Sequence, residues 1–298
     1  MTLSQSHHIR NQGASKARAV RWLLVLLLCL GCQAAWAGEA LFAPLRAYLV
    51  GTGVDPRETS RWLSSPRLRF EARRLAALLS KPERSLDYGQ FLAQKSIARA
   101  RRFKSRYQGR LSQTQRVTGV APEVVVAILA VESNLGSYTG DHLVFNMLAS
   151  QAVLDTAAAR AKLRRAWPVS QRKVFKKESF KARLAKRAAW ARHELLALIR
   201  LADKARVSPF SYRGSLAGAM GMCQFVPSSL ERFGADANQD GRVDLHRPHD
   251  AILSVATYLK AHGWRRGISQ REMATVLYSY NRSRIYGRTV LSLAARLK

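Results

Sequence analysis

Acidic residues are scarce in this 298-residue chain: 19 Asp and Glu stand against 50 Lys and Arg, a formal net charge of +31 at pH 7. Cysteine is scarcer still, at three, too few for a disulfide framework. No Gly-X-Y period and no dominant heptad runs through the sequence, which excludes collagen-like and coiled-coil chains. No Gly-Lys-Ser/Thr phosphate loop occurs. His246 and His249 have no cysteine or further histidine at zinc-binding spacing. What remains is 47% hydrophobic and 23% charged residues, the composition of a globular protein long enough to bury a core. A positive field of this size draws polyanions: nucleic acid, an anionic membrane or an acidic cell-wall polymer.

Arg10, Lys16, Arg18 and Arg21 precede the apolar run Trp22–Leu30, and Gln33-Ala34-Ala35-Trp36-Ala37-Gly38 follows. A basic start, a short apolar stretch and a small-x-small ending make a secretory signal peptide over residues 1–37, cleaved after Ala37. The run falls short of the roughly 20 residues of a permanent membrane helix. Leu30-Gly31-Cys32 offers a second reading, lipidation at Cys32, although Cys29 stands where a lipoprotein signal carries Leu. Cleavage after Ala37 leaves Cys223 as the only cysteine and 46 basic against 19 acidic residues, so +27 stays with the working protein.

Beyond Leu41 the patterning is helical and strand alternation is rare, which predicts a mainly α fold. Phe42, Leu45 and Leu49 recur at spacings of three and four, and Leu68, Leu75 and Leu78 at seven and three, as amphipathic helices require. Asp55 can cap a helix that has Pro56 in its first position. One helix is expected from Tyr88 to Gln115. Residues 38–118 read as an N-terminal helical part and 119–298 as the core, with a basic helical insertion at about 160–190. There, Lys162 to Arg187 contains eleven Lys/Arg, one acid (Glu178) and three interleaved aromatics, Trp167, Phe175 and Phe180. Such a mixture could clamp a single-stranded nucleic acid or form a solvated arm with its aromatics turned inward. Pro168 divides it into two helical pieces.

Three segments carry chemistry. Val124 to Val131 is apolar on all sides and must be buried. Glu132 follows it directly, on one helix face with Val125, Ile128 and Leu129. Loss of water and the negative helix end both raise its pKa, which suits a general acid near neutral pH. Gly214 to Ser229 is rich in small residues that permit close backbone approach, and Gln224 adds donors and an acceptor suited to amides and hydroxyls. Asp236, Asn238 and Asp240 fall at positions one, three and five of an EF-hand-like loop spanning 236–250. Gly241 is at six and the Arg242 carbonyl at seven, and Asp250 could close a longer loop in place of Arg247 at twelve. Calcium, or sodium, is the expected ion.

These segments resemble the membrane-bound lytic transglycosylase B family of peptidoglycan-cleaving enzymes. The likeness rests on Gly119-Val120-Ala121-Pro122-Glu123 with Val131-Glu132-Ser133-Asn134-Leu135-Gly136, and on Gly214 to Gly221 with Gln224-Phe225-Val226-Pro227-Ser228-Ser229. It continues in the acidic loop, in Pro248 to Trp264, and in Tyr280-Asn281-Arg282-Ser283 with Tyr286. The resemblance implies a lysozyme-like helical catalytic domain with appended helices. It makes Glu132 the catalytic acid and later base, places Ser215, Gln224, Tyr280, Asn281 and Tyr286 along the sugar groove, and sets Asp236, Asn238, Asp240, Arg242 and Asp250 around a metal. The implied reaction cleaves the MurNAc–GlcNAc bond and closes a 1,6-anhydro ring with the muramic acid's own 6-hydroxyl, without a cofactor for the chemistry. That reaction suits a sequence with one well-placed acid, where an ordinary glycosidase has two. Ser133 and Leu135 stand where the family has Thr and an aromatic, and the stretch from Leu154 to Tyr212 is longer and more basic.

The implied location is the periplasm, and the implied partners are peptidoglycan strands and other cell-wall enzymes. An export signal argues against nucleic acid, and a membrane partner requires a lipid on Cys32. Two alternatives stay open: a hydrolytic muramidase on the same scaffold, and a non-catalytic basic peptidoglycan-binding protein.

Overall fold

The computed structural model describes residues 40–80 and 87–298. The expected leader, with Cys29, Cys32 and the Ala37 cleavage point, lies outside the described residues. The chain divides into two compact units, one ending at Arg69 and one running from Phe70 to Lys298.

In the first unit α1 (Ala40–Gly51) buries Leu41, Phe42, Leu45 and Leu49 along one stripe, as their spacing requires. α2 (Pro56–Leu63) starts as expected, with Pro56 in its first turn and the Asp55 carboxylate accepting from Arg57 N–H at 2.6 Å.

The second unit contains α3 (Ala72–Ser80), α4 (Gln94–Arg106), α5 (Gln108–Thr118), α6 (Pro122–Ser133), β1 (His142–Leu143), α7 (Val144–Ala152), α8 (Ala157–Ala166) and α9 (Glu178–Lys204). They are followed by β2 (Arg213–Gly214), α10 (Pro227–Phe233), α11 (Pro248–Ala261), α12 (Gln270–Tyr280) and α13 (Arg284–Ala295). Its main core is built round α6, whose residues Val124 to Ala130 are all buried. Leu111 of α5, Ile252, Val255 and Leu259 of α11, and Val290 and Leu293 of α13 share that core. No single described helix is long and apolar enough to cross a membrane.

The expected helix from Tyr88 to Gln115 is three pieces: a 3-10 turn at Tyr88–Leu92, then α4, then α5. Tyr107 divides the last two. Its backbone leaves the helical range at φ −107°, ψ 21°, and its ring packs 4.6 Å from Phe103 and 5.8 Å from His249. No proline marks this break and Gly109 lies only two residues beyond it; packing of the half-buried ring accompanies it. Leu68 lies ahead of α3 rather than on it.

The basic insertion breaks at Trp167-Pro168, as Pro168 requires. Its aromatics turn inward. Trp167, Phe175 and Phe180 stack edge to face at 5.0–5.5 Å in a second core with Leu75, Leu163 and Leu184. Rings used this way are not available to stack on bases.

Two strands pair antiparallel, His142 with Gly214 and Leu143 with Arg213, and bring the glycine-rich segment against the loop that follows α6. Two glycines permit this approach. A Cβ on Gly140 would lie 2.3 Å from the Gly214 carbonyl, and one on Gly221 (φ +66°) 2.4 Å from the Leu245 side chain. Gly221→Ala should therefore destabilise the protein by about 2–4 kcal/mol, from left-handed strain plus overpacking. Thermal unfolding measures this, and an unchanged midpoint would show that the turn relaxes freely.

Candidate active site

Glu132 occupies the last turn of α6, two residues before Asn134, which caps the helix in the left-handed region at φ 51°. Leu135 and Gly136 follow at φ 59° and 87°. Three successive left-handed residues turn the chain sharply away and leave the Glu132 side chain half-buried. Ser133, turned about 100° from Glu132 on the helix, anchors the helix end: its hydroxyl donates to the Met222 carbonyl at 2.9 Å and accepts from Gly136 N–H.

The enclosure raises the Glu132 carboxyl from 4.5 to about 7. Desolvation is the main cause, and the Tyr286 hydroxyl beside it acts in the opposite direction. Tyr286 sits in the first turn of α13, where Ser283 caps the helix by accepting from Tyr286 N–H. Its hydroxyl is buried next to the carboxyl without a well-aligned hydrogen bond. Burial, then the charge on Glu132, pushes the Tyr286 phenol well up, and it stays protonated. Tyr280, the last residue of α12, donates to the Cys223 carbonyl at 2.7 Å and lies parallel to Tyr286 at 6.3 Å. Its phenol too is raised, by burial first and then by Cys223 and Glu132.

Glu132, Tyr280 and Tyr286 thus form one electrostatic group. Gln224 flanks it through its neighbour Cys223, whose thiol is pushed up by burial and by Glu132. At φ 49° the Gln224 side-chain amide donates to the Gly221 carbonyl at 2.8 Å and the Thr139 carbonyl at 3.2 Å. Ser215 is outside the group, and its hydroxyl accepts from Ala219 N–H across its own turn. Asn281 caps α12, and its carbonyl accepts from Ser283 N–H at 2.6 Å. Sequence reasoning missed Tyr88, whose phenol helps to raise that of Tyr286. It comes from a 3-10 turn distant in sequence, and no local motif marks it.

The acidic loop is closed by its own hydrogen bonds. Asp236 accepts from Asp240 N–H and Gly241 N–H, the latter at 2.8 Å, and Asp240 accepts from the Asn238 amide at 2.8 Å. Asp250 is buried and accepts from Ala237 N–H and Asp244 N–H at 2.9 and 2.8 Å. Arg247 lies 3.7 Å from Asp240 and 3.4 Å from Asp244. Among the described residues no three His, Cys, Asp or Glu side chains converge as a metal set.

Because the folded-state pKa of Glu132 lies above its unfolded value, ionisation costs stability. The cost is absent below pH 4.5 and complete above about 7. Glu132→Gln should leave the unfolding midpoint unchanged at pH 4 and raise stability at pH 8 by about 1–2 kcal/mol, discounted for residual solvent contact. Denaturant unfolding at the two pH values checks this, and a loss at pH 8 would make the carboxylate structural.

A family described as "Transglycosylase SLT domain" matches residues 38–275. The chain is 31% identical over 172 residues to membrane-bound lytic murein transglycosylase B of Escherichia coli K12, covering 58% of this chain and 40% of the relative. It therefore spans less than half of that relative's length. The crystal structure of soluble lytic transglycosylase SltB1 from Pseudomonas aeruginosa superposes with a TM-score of 0.68 at 23% identity, over 86% of this chain and 97% of that one. SltB3 of the same organism, in complex with NAG-anhNAM-pentapeptide, superposes with a TM-score of 0.65 at 21% identity, over 85% and 78%. With the family's match covering most of its length, the chain belongs to the SLT transglycosylase domain family.

Proposed function

We propose that this chain is an exported lytic murein transglycosylase that cleaves the MurNAc–GlcNAc bond of peptidoglycan in the periplasm and leaves a 1,6-anhydro-MurNAc end. The observation that carries the reading is a single half-buried carboxyl with a pKa of about 7, set among tyrosines. At neutral pH a large share of Glu132 is protonated, and it gives its proton to the glycosidic oxygen as the bond to C1 breaks. The substrate's N-acetyl oxygen holds the positive charge at C1. The 6-hydroxyl then attacks C1, and its proton returns to the Glu132 carboxylate. No water is consumed and the acid is regenerated, so one carboxyl serves both steps.

The Tyr286 phenol keeps the carboxyl from rising further, and the Tyr280 phenol braces the Gly221 to Gln224 turn through the Cys223 carbonyl. We assign Ser215, Gln224 and Asn281 to the groove wall. The NAG-anhNAM-pentapeptide in the SltB3 complex supports the substrate class. The net charge of +27 left after removal of the leader, 46 basic against 19 acidic residues, favours a substrate rich in carboxylates.

We also propose that loop 236–250 takes calcium, with Asp236, Asn238, Asp240 and the Arg242 carbonyl as ligands. The first half of the loop fits an ion: its three oxygen side chains flank Gly241, which turns at φ +82°. The second half fits poorly, since Asp250 serves backbone N–H groups and Arg247 offers a positive charge. Bound calcium would order the loop. Calorimetry should find weak binding, on the order of millimolar, tightened by Arg247→Ala; no binding at millimolar calcium would refute the site.

Mass spectrometry of products from purified peptidoglycan should show anhydro ends, one water lighter than reducing ends, and Glu132→Gln should cut the rate by about 10²–10⁴-fold. Reducing ends would establish a muramidase instead. The rate should fall as pH rises through about 7. Tyr286→Phe removes the group that lowers the Glu132 pKa, so this alkaline limb should move upward; a downward shift would reverse the assigned role.

A further inference from the structure

Beside the end of α6 lies a cleft of about 540 Å³ that the proton-transfer chemistry does not use. One wall is a face of α4. Arg99, Arg102 and Arg106, spaced by three and four residues, all line the cleft. The other wall is the left-handed turn Asn134-Leu135-Gly136, which begins two residues past Glu132.

No aspartate or glutamate lines this cleft, and none of the three arginines has a carboxylate partner among the described residues. Half-buried Arg99 donates to the Asn134 side-chain oxygen, which fixes one guanidinium at the rim. Arg106 lies 5.7 Å over the Tyr107 ring, and Arg102 is exposed. The turn's own N–H groups are already used, Asn134 and Leu135 on helix carbonyls and Gly136 on the Ser133 hydroxyl. The cleft therefore offers guanidinium groups over a partly apolar floor that includes Phe103. Guanidinium forks match carboxylates in a bidentate geometry that lysine cannot reproduce. The volume falls in the range of small-ligand sites.

We propose that this cleft is a peptide-carboxylate subsite: Arg99, Arg102 and Arg106 hold carboxylates of the peptide stem carried by the muramic acid while the glycan lies at Glu132. The inference rests on the peptidoglycan reading above and adds which part of that substrate the chain recognises. It also assigns a specific task to a small part of the positive charge, since three of the 50 cations face one concave site.

The test measures binding to the Glu132→Gln chain, with NAG-NAM-pentapeptide, the same compound amidated at its peptide carboxylates, and NAG-NAM without peptide. Arg102→Ala with Arg106→Ala should weaken the pentapeptide compound about tenfold, roughly 1.4 kcal/mol, and leave NAG-NAM unchanged. Amidation alone should produce a similar loss. Both arginines are exposed, so the fold should survive their removal. Arg164→Ala with Arg165→Ala on α8 removes the same charge elsewhere and should change neither compound. Equal binding of all three compounds by the parent chain overturns the subsite and leaves the glycan reading standing. Equal weakening of both glycans, or the same effect from the α8 pair, also overturns it and shows a diffuse field. Failure of the parent to bind any compound overturns the peptidoglycan reading as well.

Discussion

The carboxyl of Glu132 gives up much of its hydration because the apolar helix α6 carries it to the edge of the core, half-buried rather than fully solvated, and the other site features follow from that placement. A helix with seven consecutive buried residues needs packing on every side, and α4, α5, α11 and α13 supply it. Those helices in turn deliver the groups that surround the acid: Tyr286 from the first turn of α13 and Tyr280 from the end of α12. The Ser133 hydroxyl and the left-handed Asn134 stop the helix so that Glu132 opens outward while Ser133 stays buried. Packing and chemistry depend on the same few residues.

The electrostatics contain a second constraint. In a chain with 50 Lys and Arg, an acid could readily find a cation, and a guanidinium within about 4–6 Å would lower its pKa by roughly 1–3 units. Desolvation and a neutral phenol are instead what set the Glu132 pKa. Protonated tyrosines line the acid without fixing it as a carboxylate. Arg99, Arg102 and Arg106 of α4 line the adjoining cleft instead, where they serve a different group on the substrate. The separation lets a strongly basic protein retain a neutral acid.

What the sequence revealed follows the range of the forces involved. The buried helix and its terminal acid were legible because Val124 to Glu132 is contiguous. The Asp55-Pro56 start and the Pro168 break were legible because caps and prolines act locally. The break at Tyr107 was not, since it goes with a half-buried ring packed against Phe103 and His249, and His249 is 142 residues away. Tyr88 and the arginine face of α4 were hidden for the same reason: each acquires meaning only from a neighbour brought by the fold. The aromatics at Trp167, Phe175 and Phe180 were ambiguous in sequence, and their mutual packing resolved them as core. The acidic loop showed its spacing, but the spacing could not show that Asp250 would serve backbone amides and Arg247 would approach the carboxylates.

The central claim is that Glu132 rests near its midpoint of protonation at neutral pH, and a direct titration tests it most closely. Carboxyl-labelled glutamate followed by carbon NMR across pH 3 to 9, with Glu132→Gln to assign the resonance, reports that one group independently of turnover. The account predicts a midpoint near 7, as desolvation sets it. A midpoint near the ordinary 4.5 would mean that the carboxyl is hydrated and charged, and the single-acid mechanism would lose its proton donor.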